Sequence, residues 1–207
     1  MDQRTAWERW YRSNPTIWKG SLLPLPKLKK GARVLDVGCG TGNTMLQALE
    51  MGYEVVGIDI SSTAVSRARE RISARGFTAE VAEGDLFLLT GELGTFDCIL
   101  LHHVLDNMLT EERKRAVEVC RGLLREEGII SFQDLSVNDV RFGAGEKIEE
   151  NTFLKGDGLF IHFFSTGEVR GLFEGMEELS LEEVDWVQGK GPGKIRRSRI
   201  SGVFQPL

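Results

Sequence analysis

The sequence predicts an α/β fold, a doubly wound seven-stranded mixed sheet that is parallel for most of its width and ends in an antiparallel C-terminal hairpin. Three observations carry that reading. Apolar runs at 33–37, 55–60, 97–101 and 128–132, with a further strand at 78–82, are short and β-branched enough to be buried parallel strands. Segments of helical length alternate with them, which places helices on both faces of the sheet. Finally, Glu178–Val187 and Ile195–Phe204 read as two adjacent strands, with Gly189, Gly191, Pro192 and Gly193 between them as a hairpin connection.

Each element has a local reason. Residues 4–19 concentrate Trp7, Trp10, Tyr11 and Trp18, and Pro24 with Pro26 separate them from the first strand, so 1–30 reads as an aromatic N-terminal lid segment. A glycine-rich turn at 38–42 joins the first strand to a helix. Ser62–Arg75 carries Ala64, Val65, Ala68 and Ile72 at helical spacing, with Ser61 or Ser62 as N-cap. Thr110 is placed to cap a helix running toward Arg125, with Glu111 and Glu112 favourable against the dipole in its first turn. Ser165 or Thr166 starts a last helix that runs through Phe173.

Composition narrows the function classes. At 207 residues, 41% hydrophobic and 28% charged, the chain fits a single soluble domain over 1–207. No apolar run approaches the roughly 20 residues that span a bilayer, and the polar start Met1-Asp2-Gln3-Arg4 lacks a signal-peptide core. Three cysteines without metal-site spacing point to a reducing, cytoplasmic setting and to no metal. A net charge of −5 disfavours bulk electrostatic coating of nucleic acid. Positive charge is nevertheless clustered, as Lys190, Lys194, Arg196, Arg197 and Arg199 near the end, and as Lys27, Lys29 and Lys30 before the first strand. Each cluster is either a solvated loop face or a local phosphate-binding surface.

The turn after the first strand carries the chemistry. In Arg33-Val34-Leu35-Asp36-Val37-Gly38-Cys39-Gly40-Thr41-Gly42-Asn43, an apolar strand runs into glycines that open a helix. This is a backbone cradle for a nucleoside-bearing cofactor. The glycine spacing differs from G-x-G-x-x-G and from the P-loop. An acid about 20 residues after such a turn binds ribose hydroxyls, and Asp59 stands there, followed by Ile60.

The D-x-G-x-G-x-G pattern resembles motif I of the class I S-adenosylmethionine-dependent methyltransferases. That resemblance implies the Rossmann-like methyltransferase fold and S-adenosyl-L-methionine as cofactor. It assigns cofactor contacts to Asp36, Gly38, Cys39, Gly40, Gly42, Asn43, Asp59 and Ile60. Glu83-Gly84-Asp85-Leu86 matches the position beside the adenine, giving Gly84, Asp85 and Leu86. Phe96–Leu105 matches the fourth-strand motif facing the methyl donor, giving Leu101 and His102.

Phe132-Gln133-Asp134-Leu135, Val140-Arg141-Phe142, Glu150–Gly158 and His162-Phe163-Phe164-Ser165 follow in the order F-R-D-Y, L-R-F, E-N-x-Y-x-R-x-D-G-T and Y-F-F-[ST]. That succession resembles the tRNA 3-methylcytidine methyltransferases. Gln133, Leu135, Lys155 and Leu159 stand where that family has arginine, tyrosine, arginine and threonine. The resemblance implies tRNA as acceptor, methylated at cytidine N3, and marks 136–160 as an acceptor-side insertion. Asp134 is the candidate catalytic group, able to orient an exocyclic amine or accept a proton. Trp18, Lys19, His103, Arg141 and Lys155 are the candidate substrate contacts. A small-molecule methyltransferase and a non-catalytic cofactor-binding module remain alternatives, and no required partner protein is readable.

Overall fold

The computed structural model describes residues 2–14, 24–89, 93–189 and 194–207. The chain begins with α1 (Gln3–Ser13) and continues β1 (Arg33–Val37), α2 (Asn43–Glu50), β2 (Glu54–Asp59), α3 (Ser62–Ala74), β3 (Glu80–Glu83), β4 (Phe96–His102), α4 (Thr110–Gly122) and β5 (Leu124–Leu135). A small three-stranded unit follows, β6 (Glu146–Glu149), β7 (Thr152–Leu154) and β8 (Phe160–His162). Then come α5 (Thr166–Leu172), β9 (Met176–Gln188) and β10 (Ile195–Pro206). The main sheet has seven strands in the order β3-β2-β1-β4-β5-β10-β9. β1 to β5 are mutually parallel, β10 is antiparallel to β5, and β9 is antiparallel to β10.

The central strands β1, β2 and β4 and the second half of β5 are largely apolar because both faces are covered. Leu35, Val37, Ile99, Leu101, Ile130 and Phe132 pack against α4 and α5. Their neighbours Val34, Val55, Cys98 and Leu100 pack against α2 and α3. Each fully buried aliphatic or aromatic side chain of this kind contributes about 1.5–3 kcal/mol. Ser61 caps α3, its Oγ accepting from Ala64 N at 3.1 Å, and Ser165 caps α5 through Glu168 N at 3.1 Å.

Three expectations are corrected. Leu109, not Thr110, is the N-cap of α4; Thr110 is the first helical residue, and its N and Oγ1 donate to Glu149 Oε2 at 3.0 and 2.9 Å. The helix stops at Gly122 and β5 begins at Leu124. The register shifts between Phe96 and Cys98, and exposed residues 125–127 offer no apolar pattern from which that extension is legible. The 136–160 segment builds the β6-β7-β8 sheet, which extends to His162.

Buried Arg113, 3% exposed, ties this small sheet to the main domain. It donates to Met108 O at 2.6 Å and lies 3.9 Å from Glu149 and 3.7 Å from Glu168. No helix among the described residues is long and apolar enough to cross a membrane.

Candidate functional site

The carboxyl ends of the parallel strands open into a cleft of about 660 Å³, part of it open to solvent, between the glycine turn and α1. Such crevices are where open α/β sheets bind ligands. Gly38, Gly40 and Gly42 all have positive φ, at 64°, 54° and 78°. Gly40 also permits a close approach, since a Cβ there would lie 2.8 Å from the Tyr11 hydroxyl. Gly42 faces α3, where an added Cβ would lie 3.2 Å from Ala68 Cβ. Asn43 begins α2.

Asp59 organises the loop. Its Oδ2 accepts from Gly40 N and its Oδ1 from Ser61 N, both at 2.9 Å. Cys39 N donates to Ile58 O at 2.9 Å, and Gly84 N to Asp59 O at 3.0 Å, so adjacent strand ends are stitched together. Each Asp59 oxygen keeps a second lone pair for a ligand. Burial pushes the Asp59 carboxyl up to about 6, against the amides of Ser61 and Gly40 that favour its charge. Burial, and then the charge of Asp59, push Asp36 up to about 8. Asp36 Oδ2 is buried with no hydrogen-bond partner. Burial also raises the Cys39 thiol well above its usual range, leaving a small apolar group. A cation brought to this acidic pair would relieve both carboxyls, and S-adenosylmethionine carries an ammonium and a sulfonium. The residues present fit that group.

α1 roofs the cleft and is fastened by Glu8. Its carboxylate accepts from Ser61 Oγ at 2.7 Å, Thr63 Oγ1 at 2.6 Å and Thr63 N at 3.2 Å. Despite the opposing effect of burial, those bonds hold Glu8 down at about 2. Arg4 donates to Ile60 O at 3.0 Å, and Arg67 donates to Tyr11 O at 2.7 Å. Trp7 and Tyr11 line the cleft opposite Ile60, Gly84, Asp85 and Leu86. Asp85 Oδ1 accepts from Phe87 N at 2.9 Å, capping the short helical turn that follows.

At the other end of the cleft lies His103, whose φ of +56° turns it out of the strand. Its neighbours Leu101 and His102 stay in the sheet. Leu101 is fully buried in the α4/α5 core, and His102 bonds Ser131 Oγ at 2.9 Å on the other face. Burial drops the His102 ring to about 3. Asp134 is also fully buried, with Oδ2 accepting from Asp106 N at 3.2 Å and Oδ1 3.4 Å from His103 Nδ1. An acceptor entering the cleft therefore meets His103 before Asp134. Among the described residues, His103, Asp106 and Asp134 bring their ligand atoms within 4.8 Å of one another.

A positive wall stands behind this group. Arg141 and Arg197 share the buried carboxylate of Asp139 at 2.9 and 2.7 Å, and Ser198 N donates to it at 3.1 Å. Burial opposes ionisation of Asp139, but these donors hold its carboxyl below the usual range. Arg197 and Arg199 stack on Trp186 at 5.3 and 5.1 Å. The C-terminal basic cluster is thus split: Arg197 and Arg199 act on His103, while Arg196 pairs with Asp185. The N-terminal cluster sits at the opposite end of the sheet, where Lys29 lies 3.5 Å from Asp97 before β1. Lys155 is on the β7–β8 turn, 3.8 Å from Asp157, and Gly158 O there accepts from Gln3 of α1 at 3.1 Å. Trp18, Lys19 and Lys190 lie outside the described residues.

Asp106, Asp139 and Gln3 escape site assignment from sequence because nothing in their spacing ties them to a motif, while Tyr11 falls in the aromatic segment already read as a lid. Only the register of β4, β5 and β10 brings Asp106 and Asp139 to the mouth.

Comparison with known proteins agrees with this geometry. Residues 28–177 match the family model described as a methyltransferase domain. The chain is 30% identical over 161 residues to the tRNA N(3)-methylcytidine methyltransferase Mettl2 of Drosophila melanogaster, covering 72% of this chain and 49% of that protein. It is 29% identical over 167 residues to the tRNA N(3)-cytidine methyltransferase METTL2 of Danio rerio, covering 74% and 47%. The chain thus spans about half the length of these curated relatives. Its fold is similar to that of a SAM-dependent methyltransferase from Methanosarcina mazei, with TM-score 0.74, 23% identity, and 87% and 95% of the two chains covered. A SAM-dependent methyltransferase from Anabaena variabilis is similar at TM-score 0.76 and 19% identity, covering 100% and 96%. With a glycine loop laced to Asp59, a cation-seeking acidic pair and a family match across most of the sheet, the chain belongs to the methyltransferase-domain family and uses S-adenosylmethionine as methyl donor.

Proposed function

We propose that this methyltransferase acts on tRNA, at N3 of a cytidine base. The similarity to tRNA N3-cytidine methyltransferases supports it, strengthened by the ordered segments between 131 and 173. On the molecule, the charges of Arg141, Arg197 and Arg199 reach His103, the first two while also sharing Asp139, on a protein whose net charge is −5. Arginines toward this end of the cleft suit a phosphate-bearing acceptor, whose flanking phosphates would exchange for their present carboxylate partners while a single-stranded base enters the pocket. Trp186, backed by two arginines, offers a stacking face at the same edge.

When bound, S-adenosylmethionine supplies an electrophilic methyl on a sulfonium sulfur, which keeps the bonding pair on transfer. The protein's part is positioning and exclusion of water. α1, with Trp7 and Tyr11, is the lid over the cofactor end. The 136–160 segment frames the acceptor end and carries Arg141 and Lys155. Cytosine N3 presents a neutral lone pair, which the site must hold in line with the methyl group.

The test is methylation of unmodified tRNA by the purified protein, read as 3-methylcytidine by nucleoside mass spectrometry. Normal cofactor binding with no methylated nucleoside would overturn the tRNA reading. Transfer to a component of an RNase-treated metabolite extract, absent with tRNA, would select a small-molecule acceptor instead.

A further inference from the structure

We propose that His103, held by the buried Asp134–Asp106 carboxyl pair, is the proton acceptor of this methyl transfer, and that the acceptor carries a proton on or next to the methylated atom. The inference rests on the methyltransferase reading of the cleft and deepens it.

The geometry is that of a relay. His103 lines the cleft and leaves the strand at φ +56°, a conformation rare for a non-glycine residue and frequent at functional sites. Its Nδ1 faces Asp134 Oδ1 at 3.4 Å and Asp106 Oδ2 at 4.0 Å. A ring nitrogen set between carboxyl oxygens carries its hydrogen there, which leaves Nε2 as the open lone pair. Asp134 is 0% exposed, and its Oδ1, the carboxyl oxygen nearest His103 Nδ1, is buried without a hydrogen-bond partner. Asp106 N donates to Asp134 Oδ2, while Asn107 Nδ2 donates to Asp106 Oδ1.

Burial raises both carboxyls, and the charge of Asp134 raises Asp106 further. Bonds from the Asp106 backbone and side chain, with Arg113 nearby, favour the charge on Asp134. Carboxyls this close cannot both ionise, so Asp134 and Asp106 hold one proton and one negative charge between them beside His103. The groups facing His103 are Asp106 from the turn after β4, Asp134 from β5, Arg141 from the loop after β5, and Arg197 and Arg199 from β10. Burial first, then the three guanidiniums against Asp106, lower its titration, so the ring is neutral at neutral pH.

The step balances without another reactant. The acceptor's lone pair forms the bond to the methyl carbon, and positive charge develops on the acceptor. One of its N–H protons passes to His103 Nε2, giving an imidazolium stabilised by the Asp134 carboxylate, and leaves to solvent with the product. On cytidine that proton is on exocyclic N4, made more acidic by methylation of N3.

The experiment is ¹⁵N NMR of the three histidines in the full chain saturated with S-adenosylhomocysteine, for wild type, H103Q and D134N. His103 is expected as the Nδ1–H tautomer, titrating below the ordinary histidine value of about 6.5. In D134N, the amide oxygen accepts from Asp106 N and the NH₂ faces Nδ1, so the His103 hydrogen moves to Nε2. With an accepted substrate, both variants lose about 10²–10⁴-fold in turnover, with cofactor Kd changed less than about twofold. The acid limb of the wild-type pH–rate profile is absent in H103Q. An Nε2–H tautomer in wild type, or a D134N protein with unchanged tautomer and rate, overturns the relay. If tRNA is not methylated at all, the tRNA reading falls while the NMR result still decides the relay.

Discussion

The two ends of the cleft are built in different ways. The cofactor end is made from strand ends close together in the chain, with residues 36–43, 59–61 and 84–86 meeting because β1, β2 and β3 are sequential neighbours in the sheet. The acceptor end is assembled from residues 103–106, 134, 139–141 and 197–199, which meet through the long return of β10 against β5. Local construction makes the first end recognisable as a motif. Non-local construction makes the second free to vary, which is why one fold serves many acceptors.

That contrast predicts separable defects. The largest is expected at the cofactor end. Asp59→Ala strands two buried amides, at about 1–3 kcal/mol each, and should weaken S-adenosylmethionine binding at least about 100-fold by calorimetry. Asp139→Asn removes the charge shared by Arg141 and Arg197, a loss of about 1.5–3 kcal/mol for bonds to a charged group. The acceptor KM should rise about tenfold or more with cofactor Kd unchanged; equal effects on both would erase the division proposed between the two ends.

Glu8→Gln tests whether the lid belongs to the cofactor end. Loss of a carboxylate accepting three close bonds should raise cofactor Kd about tenfold, on the order of 1.4 kcal/mol, and leave acceptor discrimination intact. Because Glu8 is held down at about 2, its stabilising contribution is present above its unfolded value of about 4.3 and is lost as pH falls toward 2. The smallest effect concerns Asp36. Its folded pKa of about 8 exceeds the unfolded value near 3.9, so its contribution is full below pH 4 and lost as pH rises to 8. Cofactor-free protein should melt lower at pH 8 than at pH 5, and Asp36→Asn should flatten that difference. The same substitution should weaken cofactor binding, since Asp36 would no longer present a charge.

Departures from the resembled tRNA family show where motif matching reaches its limit. Gln133, at the arginine position, is 1% exposed, and its Nε2 donates to Pro24 O at 3.0 Å, pinning the chain as it enters the domain. Leu135 packs with Phe153 and Phe163, and Leu159 is 3% exposed. These three positions are buried here, and the acceptor end proposed above draws instead on His103, Asp139 and the β10 arginines.

Strand and helix periods and the glycine spacing determined the sheet, its hairpin ending and a nucleoside cradle from sequence alone, and the methyl donor was implied by the family resemblance that the acids at 36, 59 and 85 complete. They could do so because each of those signals is local, a matter of neighbours a few residues apart or of one strand-to-helix turn. Tertiary structure decided the rest. It buried Asp134 behind His103, set Gly42 against α3, and split one basic cluster, Arg197 and Arg199 acting on His103 while Arg196 pairs with Asp185, with Lys29 at the far end of the sheet. Which side of a sheet a residue reaches, and what meets it there, depends on strand order and register, and these are set by packing across the whole chain.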